Sequence, residues 1–392
     1  MNLRTSRFWK AGWVTLLASC FWVGPPAGAQ SLQSVSALDP SLGPPSGAGG
    51  DSGTPILTPD GRYVLFASSA ENLLVVGTNG PVPPRLNRPL NVYLRYRFTA
   101  TTTLVSVDVT GRSGGNANSL PKGISTNGEW VLFESFANNL VPGDTNNAAD
   151  VFVRDVVKGT TLLVSASTNG SVGNGTSRNA VLSPDGRYVA FASLASNLVS
   201  GDANRLQDVF VRDLQTGTTT LASFGSVTSS VGYPSGNSDL PVMTPDGRYV
   251  TFSSSNSRAP NRGLLDEIYR RDLVDGSTLL VSADASNVVR SVLGYTTVVV
   301  FNHAMSDDGQ AIVYEASLDA GSTAVLLRYD AATGLTLTIH TNAANATLAE
   351  GGLDMTPDGR KVAFMAYTGG NSGSNTFILL WDAETGTITL AS

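Results

Sequence analysis

The sequence has almost no cysteine or histidine. It holds one cysteine, Cys20, and two histidines, His303 and His340. A single thiol cannot form an intramolecular disulfide, and the sequence contains no paired-histidine metal motif. The Gly-x-Ser-x-Gly pattern of serine hydrolases occurs at Gly111–Gly115, but this Gly-rich run is expected to join strand to strand and not strand to helix as that motif requires. The fold must therefore be held by its core, for which the roughly 360 residues that follow the N-terminal segment are ample.

An excess of positive charge is also missing. The chain has 25 Lys and Arg against 31 Asp and Glu. Three of the basic residues and none of the acidic ones lie in the first 29 residues, so the remainder carries 22 basic and 31 acidic residues, or −9. Nucleic acid binding needs the opposite sign, so we expect no nucleic acid partner. Cations are the natural small partners of such a surface.

No apolar run is long enough to span a bilayer, so we expect no transmembrane segment. Residues 1–29 have the pattern of an export signal: a basic head, an apolar stretch over Ala11–Val23, and the small-residue cleavage pattern that ends at Ala29. Leu17–Cys20 also resembles a lipoprotein cleavage box, which would place a lipid anchor on Cys20. Either processing predicts an exported protein, in the periplasm or outside the cell.

The sequence is rich in one repeated turn and strand. Ser183–Phe191 contains Pro-Asp-Gly-Arg followed by an apolar run, and related copies recur at intervals of 50 to 67 residues. Repeats of this length are typical of propeller blades. The residues at the turn position are Asp60, Asn127, Asp185, Asp246, Asp308 and Asp358.

Each repeat contains four short β-rich segments bounded by Gly, Pro, Asn and Asp, which is typical of strands. In the third repeat we predict these strands at 180–183, 187–193, 208–213 and 218–223. Since no long helical period occurs, the predicted fold class is all-β, a six-bladed β-propeller of four-stranded antiparallel blades over residues 54–392.

Three segments of the third repeat carry a family resemblance. Pro184–Arg187 with its apolar strand, Asn197–Asp202, and Asp208–Asp213 together resemble the WD40-like repeats of TolB-like bacterial propellers. The resemblance covers nearly the whole chain after the export signal and implies an exported propeller that binds other molecules. It implies no universal catalytic residues. The first repeat departs from the pattern at 73–90, and the last two repeats are shortened.

Residues 30–53 are rich in Pro, Gly and Ser, which predicts a linker. Within it, Leu32–Ala37 resembles a fourth strand such as Leu162–Ala166. This segment either pairs with the last repeat and helps to close the ring or forms a disordered leader.

In an up-and-down blade the two tight turns lie on one face and the two long connections on the other. The long connections vary between repeats, and variable loops on a rigid scaffold are the usual place for binding. We therefore expect this face to bind an envelope or extracellular protein or a glycan, and we expect a monomer. The predicted binding residues are Asn139, Asp144, Asn146, Asp150, Asn197, Asp202, Asn204 and Asp208.

Two of these loops share an oxygen-rich spacing that suits a hard cation such as Ca²⁺. Asp144, Asn146 and Asp150 form the first set, and Asp202, Asn204 and Asp208 repeat it. The alternative is that these Asp and Asn side chains form local turns with the backbone. The pattern lacks the Gly and the distal Glu of an EF-hand loop.

Two further sets of residues are candidates for catalysis. The repeated pairs Arg154-Asp155, Arg212-Asp213 and Arg271-Asp272 favour contacts between blades or within turns. His303 lies in a predicted innermost strand, where it is expected to line the central channel without a nucleophile motif. We therefore predict a non-catalytic binding module. The alternatives are a lyase or hydrolase that uses the central channel and a structural surface protein stiffened by Ca²⁺. With two histidines and no repeated carboxylate expected to face the channel, the sequence argues against the enzyme.

Overall fold

The computed structural model describes residues 49–70, 72–74, 89–223, 236–255, 266–294, 298–318, 323–344, 352–367 and 375–391. The predicted export signal, Cys20 and most of the predicted linker, including its candidate ring-closing strand, lie outside these residues. The domain boundaries drawn from the sequence remain predictions.

Strands account for nearly all regular structure, and four consecutive strands make up each sequence repeat. Repeats 1 to 3 comprise β1 (Ser52–Leu57), β2 (Tyr63–Ser68), β3 (Asn91–Tyr96), β4 (Thr101–Leu104), β5 (Ser119–Ile124), β6 (Trp130–Ser135), β7 (Asp150–Asp155), β8 (Thr160–Leu163), β9 (Ser177–Leu182), β10 (Tyr188–Ser193), β11 (Asp208–Asp213) and β12 (Thr218–Leu221). Repeats 4 to 6 comprise β13 (Ser238–Met243), β14 (Tyr249–Ser255), β15 (Asp266–Asp272), β16 (Thr278–Leu280), β17 (Val299–Met305), β18 (Ala311–Ser317), β19 (Thr323–Asp330), β20 (Leu335–Ala344), β21 (Leu353–Met355), β22 (Lys361–Tyr367), β23 (Thr376–Asp382) and β24 (Ile388–Leu390).

Within every repeat the strands pair antiparallel in chain order. Repeats 1 to 4 form four separate four-stranded sheets, whereas β17–β24 form one eight-stranded sheet. One residue pair, Ala343 with Ala366, joins β20 to β22 and so links the last two repeats. The all-β class and the four-stranded antiparallel pattern are thus confirmed. The third repeat agrees with its predicted strands, except that β9 begins earlier, at Ser177, and β12 ends earlier, at Leu221.

The turn between the first and second strands is built in the same way in each repeat. In repeat 3, Ser183 Oγ donates to Asp185 Oδ1 (2.5 Å), which also accepts the backbone N–H of Arg187 (3.0 Å). The equivalent side-chain bond forms at Asp60, Asn127, Asp246, Asp308 and Asp358. The glycine that follows takes a left-handed φ, +79° at Gly186, which other L residues adopt only at a cost.

This glycine also packs against the preceding repeat. A Cβ on Gly247 would lie 2.6 Å from the ring of Tyr188, and one on Gly186 would meet the ring of Trp130. The turn therefore needs glycine for its φ and also for the close approach of an aromatic ring.

The core lies between the faces of consecutive sheets. Val189, Ala190 and Phe191 on the second strand of repeat 3 are all fully buried, as expected for a strand covered on both faces. One hydrophobic cluster joins repeats 2 and 3 through Val153 and Phe191, and others join the remaining consecutive repeats. The first strands of consecutive repeats also contact one another, from β1 through to β21.

Two features were not expected from the sequence. The first is a nine-residue helix, α1 (Ala285–Leu293), which ends at the left-handed Gly294. The second is an irregular register between the first and second strands of repeats 1 to 5. In four of these repeats a non-glycine residue of the first strand has a positive φ, namely Thr54, Asn179, Leu240 and Asn302. No helix within the described ranges is long and apolar enough to cross a membrane.

Candidate functional site

The long-loop face consists of the connections from second to third strands and from each fourth strand to the next repeat. Hydrogen bonds from asparagine side chains join these connections to one another. Asn174 Nδ2 donates to Ser196 Oγ (3.1 Å), and Asn174 Oδ1 accepts the N–H of Ser196 (2.8 Å). Asn197 Oδ1 accepts the N–H of Asn174 (2.9 Å). The predicted binding residue Asn197 therefore holds two neighbouring loops in a fixed relation.

The preceding repeat uses the same arrangement. Asn116 Nδ2 donates to Asn138 Oδ1 (2.7 Å), and Asn139 Oδ1 accepts the N–H of Asn116 (3.0 Å). The backbone carbonyl of Asn139 also accepts the N–H of Val109 (2.8 Å). Asn139 is thus the counterpart of Asn197, and both side chains order the long-loop face.

Large apolar side chains stand beside these asparagine contacts. Phe136 and Leu194 directly follow the second strands of repeats 2 and 3 and are 64% and 51% exposed. Their backbone N–H groups are bonded to the carbonyls of Asn118 and Thr176, so their positions are fixed. Both side chains are therefore exposed on backbone that is held by hydrogen bonds.

The first acidic loop brings Asp144, Asn146 and Asp150 together. Asn146 Nδ2 donates to Asp150 Oδ2 (2.7 Å), and Ser165 Oγ donates to Asp150 Oδ1 (2.6 Å). Asn146 Oδ1 accepts the N–H of Ala148 (2.8 Å), which is the local turn considered above. Both Asp150 oxygens and the Asn146 amide are therefore engaged by the protein itself.

The second acidic loop repeats these contacts. Asn204 Nδ2 donates to Asp208 Oδ2 (2.7 Å), and Ser223 Oγ donates to Asp208 Oδ1 (2.6 Å). Asn204 Oδ1 accepts the N–H of Leu206 (2.8 Å). The spacing recognised in the sequence thus corresponds to one local structure used twice.

The carboxylates of these loops have raised pKa values. Burial raises the pKa of Asp150 to about 6, with a smaller contribution from the neighbouring charge of Asp144. Burial likewise raises the pKa of Asp208 and of Asp144 and Asp202. One oxygen in each loop, Oδ1 of Asp144 or of Asp202, is buried without a hydrogen-bond partner. A proton or a cation would satisfy that oxygen.

The acidic loops do not assemble a complete metal site from carboxylates alone. Within the part of the chain that the structure describes, no three His, Cys, Asp or Glu side chains converge in a way that could hold a metal ion. Any cation at these loops would therefore need water or backbone oxygens among its ligands.

The first two strands carry acidic side chains that sequence reasoning missed. Glu134 pairs with Lys122 (3.5 Å) and accepts the N–H of Ala180 from the next repeat (3.0 Å). Glu315, at the equivalent position of repeat 5, accepts a bond from Asn302 Nδ2 (2.8 Å), while its Oε1 is buried without a partner. Burial raises the pKa of Glu315 to about 7. A Glu within an otherwise apolar second strand was the available sequence signal for both residues.

A further acidic contact joins two first strands. Asp239 on β13 forms an ion pair with Arg178 on β9 (3.0 Å) and accepts a hydrogen bond from Asn179 Nδ2 (2.8 Å). Asn179 and Arg178 lie where the register of β9 shifts. The irregular first strand therefore directs polar groups toward the neighbouring repeat.

The two histidines are packed into the protein. His303 Nε2 is buried without a hydrogen-bond partner, and burial lowers the pKa of His303 to about 4. His340 packs on Phe364, with ring centroids 5.3 Å apart, and burial lowers its pKa as well. Both imidazoles are thus neutral near pH 7, and His303 lies against the neighbouring sheet.

The repeated Arg-Asp pairs form structural contacts. Asp213 accepts the N–H groups of Gln215 and Thr216 in its own turn, whereas Arg212 Nη1 donates to the carbonyls of Ala166 and Ser167 in the preceding repeat. The aspartates thus stabilise turns, and Arg212 joins repeats.

Comparisons with known proteins agree on the fold only. No protein-family model and no curated protein matches the chain. A solved structure of an oligogalacturonate lyase in complex with manganese is similar over 86% of this chain and 75% of that one, with 13% identity and a TM-score of 0.50. A TolB-like structure from Agrobacterium tumefaciens matches with 16% identity over 75% of this chain and 82% of that one, at a TM-score of 0.40.

A third solved structure is the β-propeller domain of the Trilobed protease from Pyrococcus furiosus. It has 12% identity over 88% of this chain and 85% of that one, with a TM-score of 0.47. These neighbours include enzymes as well as a TolB-like protein. Because identities at this level carry no activity from one protein to another, function has to be argued from the site.

Proposed function

We propose that this chain is an exported, non-catalytic six-bladed propeller that binds a protein partner through its long-loop face. The proposal rests on one observation: Phe136 and Leu194 are exposed next to loops that the Asn116 and Asn174 hydrogen bonds hold in place. Apolar side chains held on ordered backbone lose little conformational entropy on binding, so such a surface suits a partner.

Three observations favour six blades and a non-catalytic role. Six copies of the turn around Asp185 each lie between the first two strands of a four-stranded repeat, although one residue pair merges the last two repeats into a single sheet. Their lowered pKa values make His303 and His340 weaker bases than an ordinary histidine, which disfavours both as general bases. The Asn146–Asp150 and Asn204–Asp208 side-chain pairs of the acidic loops are bonded to each other and to a neighbouring serine of the same repeat.

Site-specific photo-crosslinking tests the choice of face. A photoreactive amino acid is placed at Phe136 in one variant and at Val274, an exposed apolar residue in the opposite-face turn after β15, in the matched control. Crosslinking is done in an extract of the cell envelope. We expect a discrete protein adduct from position 136 and none from position 274. Equal adducts from both positions, or an adduct from position 274 alone, contradict the proposal.

A second candidate function, a structural role stiffened by Ca²⁺, is favoured by the unpartnered Oδ1 atoms of Asp144 and Asp202. A bound cation would satisfy these oxygens and stabilise the folded state in proportion to its concentration over its Kd. The test compares the unfolding temperature in the presence of Ca²⁺ with that in the presence of a chelator. It is measured for the wild-type protein and for the double variant Asp144→Asn, Asp202→Asn. A Ca²⁺-dependent rise that the double variant abolishes supports the role, and an unchanged temperature rejects it.

A further inference from the structure

An aromatic ring at the start of the second strand is covered by a cationic side chain in repeats 2 to 4. In repeat 3 the Arg187 guanidinium lies 4.7 Å from the ring centroid of Tyr188 and is held there by an ion pair with Asp213 (2.9 Å). The corresponding sets are Lys158, Trp130 and Asp155 in repeat 2 and Arg248, Tyr249 and Asp272 in repeat 4. The third-strand aspartate thus positions a cation over the ring.

Repeat 1 lacks this arrangement because Tyr96 stands at the position of that aspartate. Arg62 pairs with Asp60 instead, and its guanidinium lies 5.8 Å from the centroid of Tyr63. The Tyr63 and Tyr96 rings lie 5.0 Å apart, and Phe98 meets Tyr96 edge-on at 5.7 Å. Phe98 is 74% exposed. One repeat therefore replaces a charged pair with an aromatic cluster.

A solvent-open cleft of about 440 Å³ adjoins this cluster between repeats 1 and 2. Tyr63 and Tyr96 supply its aromatic wall. Its polar lining comes from Thr101, Thr103, Asn127 and Glu129. The volume falls within the range of small-ligand pockets, and aromatic walls with a few polar groups are their usual lining.

The polar lining favours a ligand that both donates and accepts hydrogen bonds. The Glu129 carboxylate accepts one bond from Asn127 Nδ2 (2.6 Å) and, like any carboxylate, has acceptor sites for further donors. Threonine hydroxyls donate and accept. A sugar ring presents an apolar C–H face to an aromatic wall and hydroxyl groups to such a rim.

Other ligand classes fit these groups less well. A proline-rich peptide offers few N–H donors for Glu129, because proline has none. A cationic ligand would pair with Glu129, but an ammonium or guanidinium group offers no acceptors for the Thr101 and Thr103 hydroxyls. An acidic sugar would be repelled by Glu129 itself.

We propose that the cleft between repeats 1 and 2, with Tyr63 and Tyr96 as its wall, binds a neutral oligosaccharide. This site lies on the tight-turn side, opposite the proposed protein-binding face, and is independent of it. The Tyr96 ring stacks on a sugar ring, and Thr101, Thr103 and Glu129 bind its hydroxyls.

The test uses Tyr96→Asp, which introduces the residue that the other five repeats carry at this position and offers Arg62 its usual ion-pair partner. This variant is therefore expected to fold, which circular dichroism and the unfolding temperature verify. Phe98→Ala is a second binding variant. Val274→Ala is the matched control, since Val274 occupies the position of Phe98 in repeat 4 and is comparably exposed.

Titration calorimetry of the full chain measures binding of four neutral hexasaccharides, those of β-1,4-glucose, α-1,4-glucose, β-1,4-xylose and β-1,4-N-acetylglucosamine, and of decaproline. We expect at least one hexasaccharide to bind with a Kd of about 1 mM or lower, and Tyr96→Asp to weaken it about tenfold or more. Phe98→Ala should weaken it in the same direction, and Val274→Ala should leave it unchanged. No binding by any hexasaccharide, affinity unaffected by Tyr96→Asp, or binding of decaproline alone overturns the proposal.

Discussion

At the scale of single residues, the fold depends on glycines whose role is fixed by their neighbours. Gly186 combines a φ of +79° with the Trp130 ring of the preceding repeat, whereas Gly170 has a φ of +85° and no atom near its missing Cβ. The repeated Pro-Asp-Gly pattern predicts the turn correctly. The contact with Trp130 could not be predicted, because it depends on how far apart successive sheets pack.

We therefore expect Gly186→Ala to destabilise the protein more than Gly170→Ala. Both variants incur the left-handed penalty of roughly 1–2 kcal/mol, and only Gly186→Ala adds an overpacking cost of roughly 1–3 kcal/mol. Urea unfolding of both variants and wild type gives the two changes in the free energy of unfolding. Equal losses would show that the Trp130 contact contributes nothing.

The buried Glu315 gives a prediction for pH dependence. Its folded-state pKa, about 7, is above the ordinary value of 4.5, so the folded state retains the proton longer than the unfolded state. The contribution of this group to stability is full below pH 4.5 and is lost as the pH rises through 7. Glu315→Gln removes the buried charge, so its advantage over wild type should grow between pH 5 and pH 8, to roughly 1–3 kcal/mol.

Unfolding temperatures of wild type and Glu315→Gln across this pH range test the assignment. The buried Asp150 titrates in both proteins and therefore cancels in their difference. Parallel curves for the two proteins would mean that Glu315 is ionised and adequately solvated throughout.

At the scale of elements, the sequence predicts strands better than it predicts their irregularities. The third strand Asp208–Asp213 and the second strand of the same repeat lie where the β-rich segments and their bounding turn residues predict them. The register shift in β9 and the positive φ of Asn179 could not be predicted, since they are coupled to Asp239 in another repeat. The helix α1 was missed because it is short and stands alone in a strand-rich sequence.

The asparagine contacts of the long-loop face give a prediction at this scale. Asn174→Ala removes both side-chain hydrogen bonds to Ser196, so the two loops that these residues join should separate more readily. We expect a loss of about 1–2 kcal/mol and faster amide hydrogen exchange at Ser196, whose N–H loses its acceptor.

The equivalent contact at Asn116 is an internal control for that experiment. Exchange at Asn138, whose N–H is bonded to Asn116 Oδ1 (3.2 Å), should remain as slow as in wild type. Unchanged exchange at Ser196 in Asn174→Ala would show that these loops are ordered by other contacts.

At the scale of the whole molecule, the six sequence repeats fold into similar four-strand units. Both functional proposals rest on residues in which individual repeats differ from the others. The long-loop face was recognised in the sequence from the variable length of its loops, and Asn139 and Asn197 proved to order it. Phe136 and Leu194 were overlooked because an apolar residue at the end of a strand looks like core. The aromatic cleft was equally hidden, since only the aligned repeats reveal Tyr96 in place of an aspartate.

The central claim, binding through the long-loop face, is tested most directly by the affinity for the partner identified by crosslinking. Phe136→Ser with Leu194→Ser alters that face, and Val274→Ser with Leu335→Ser alters comparably exposed apolar side chains elsewhere. We predict that the first pair weakens the Kd by about 30-fold or more, equivalent to roughly 2 kcal/mol, and that the second pair leaves it within about twofold. An unchanged Kd for the first pair, with both variants folded, would contradict the account.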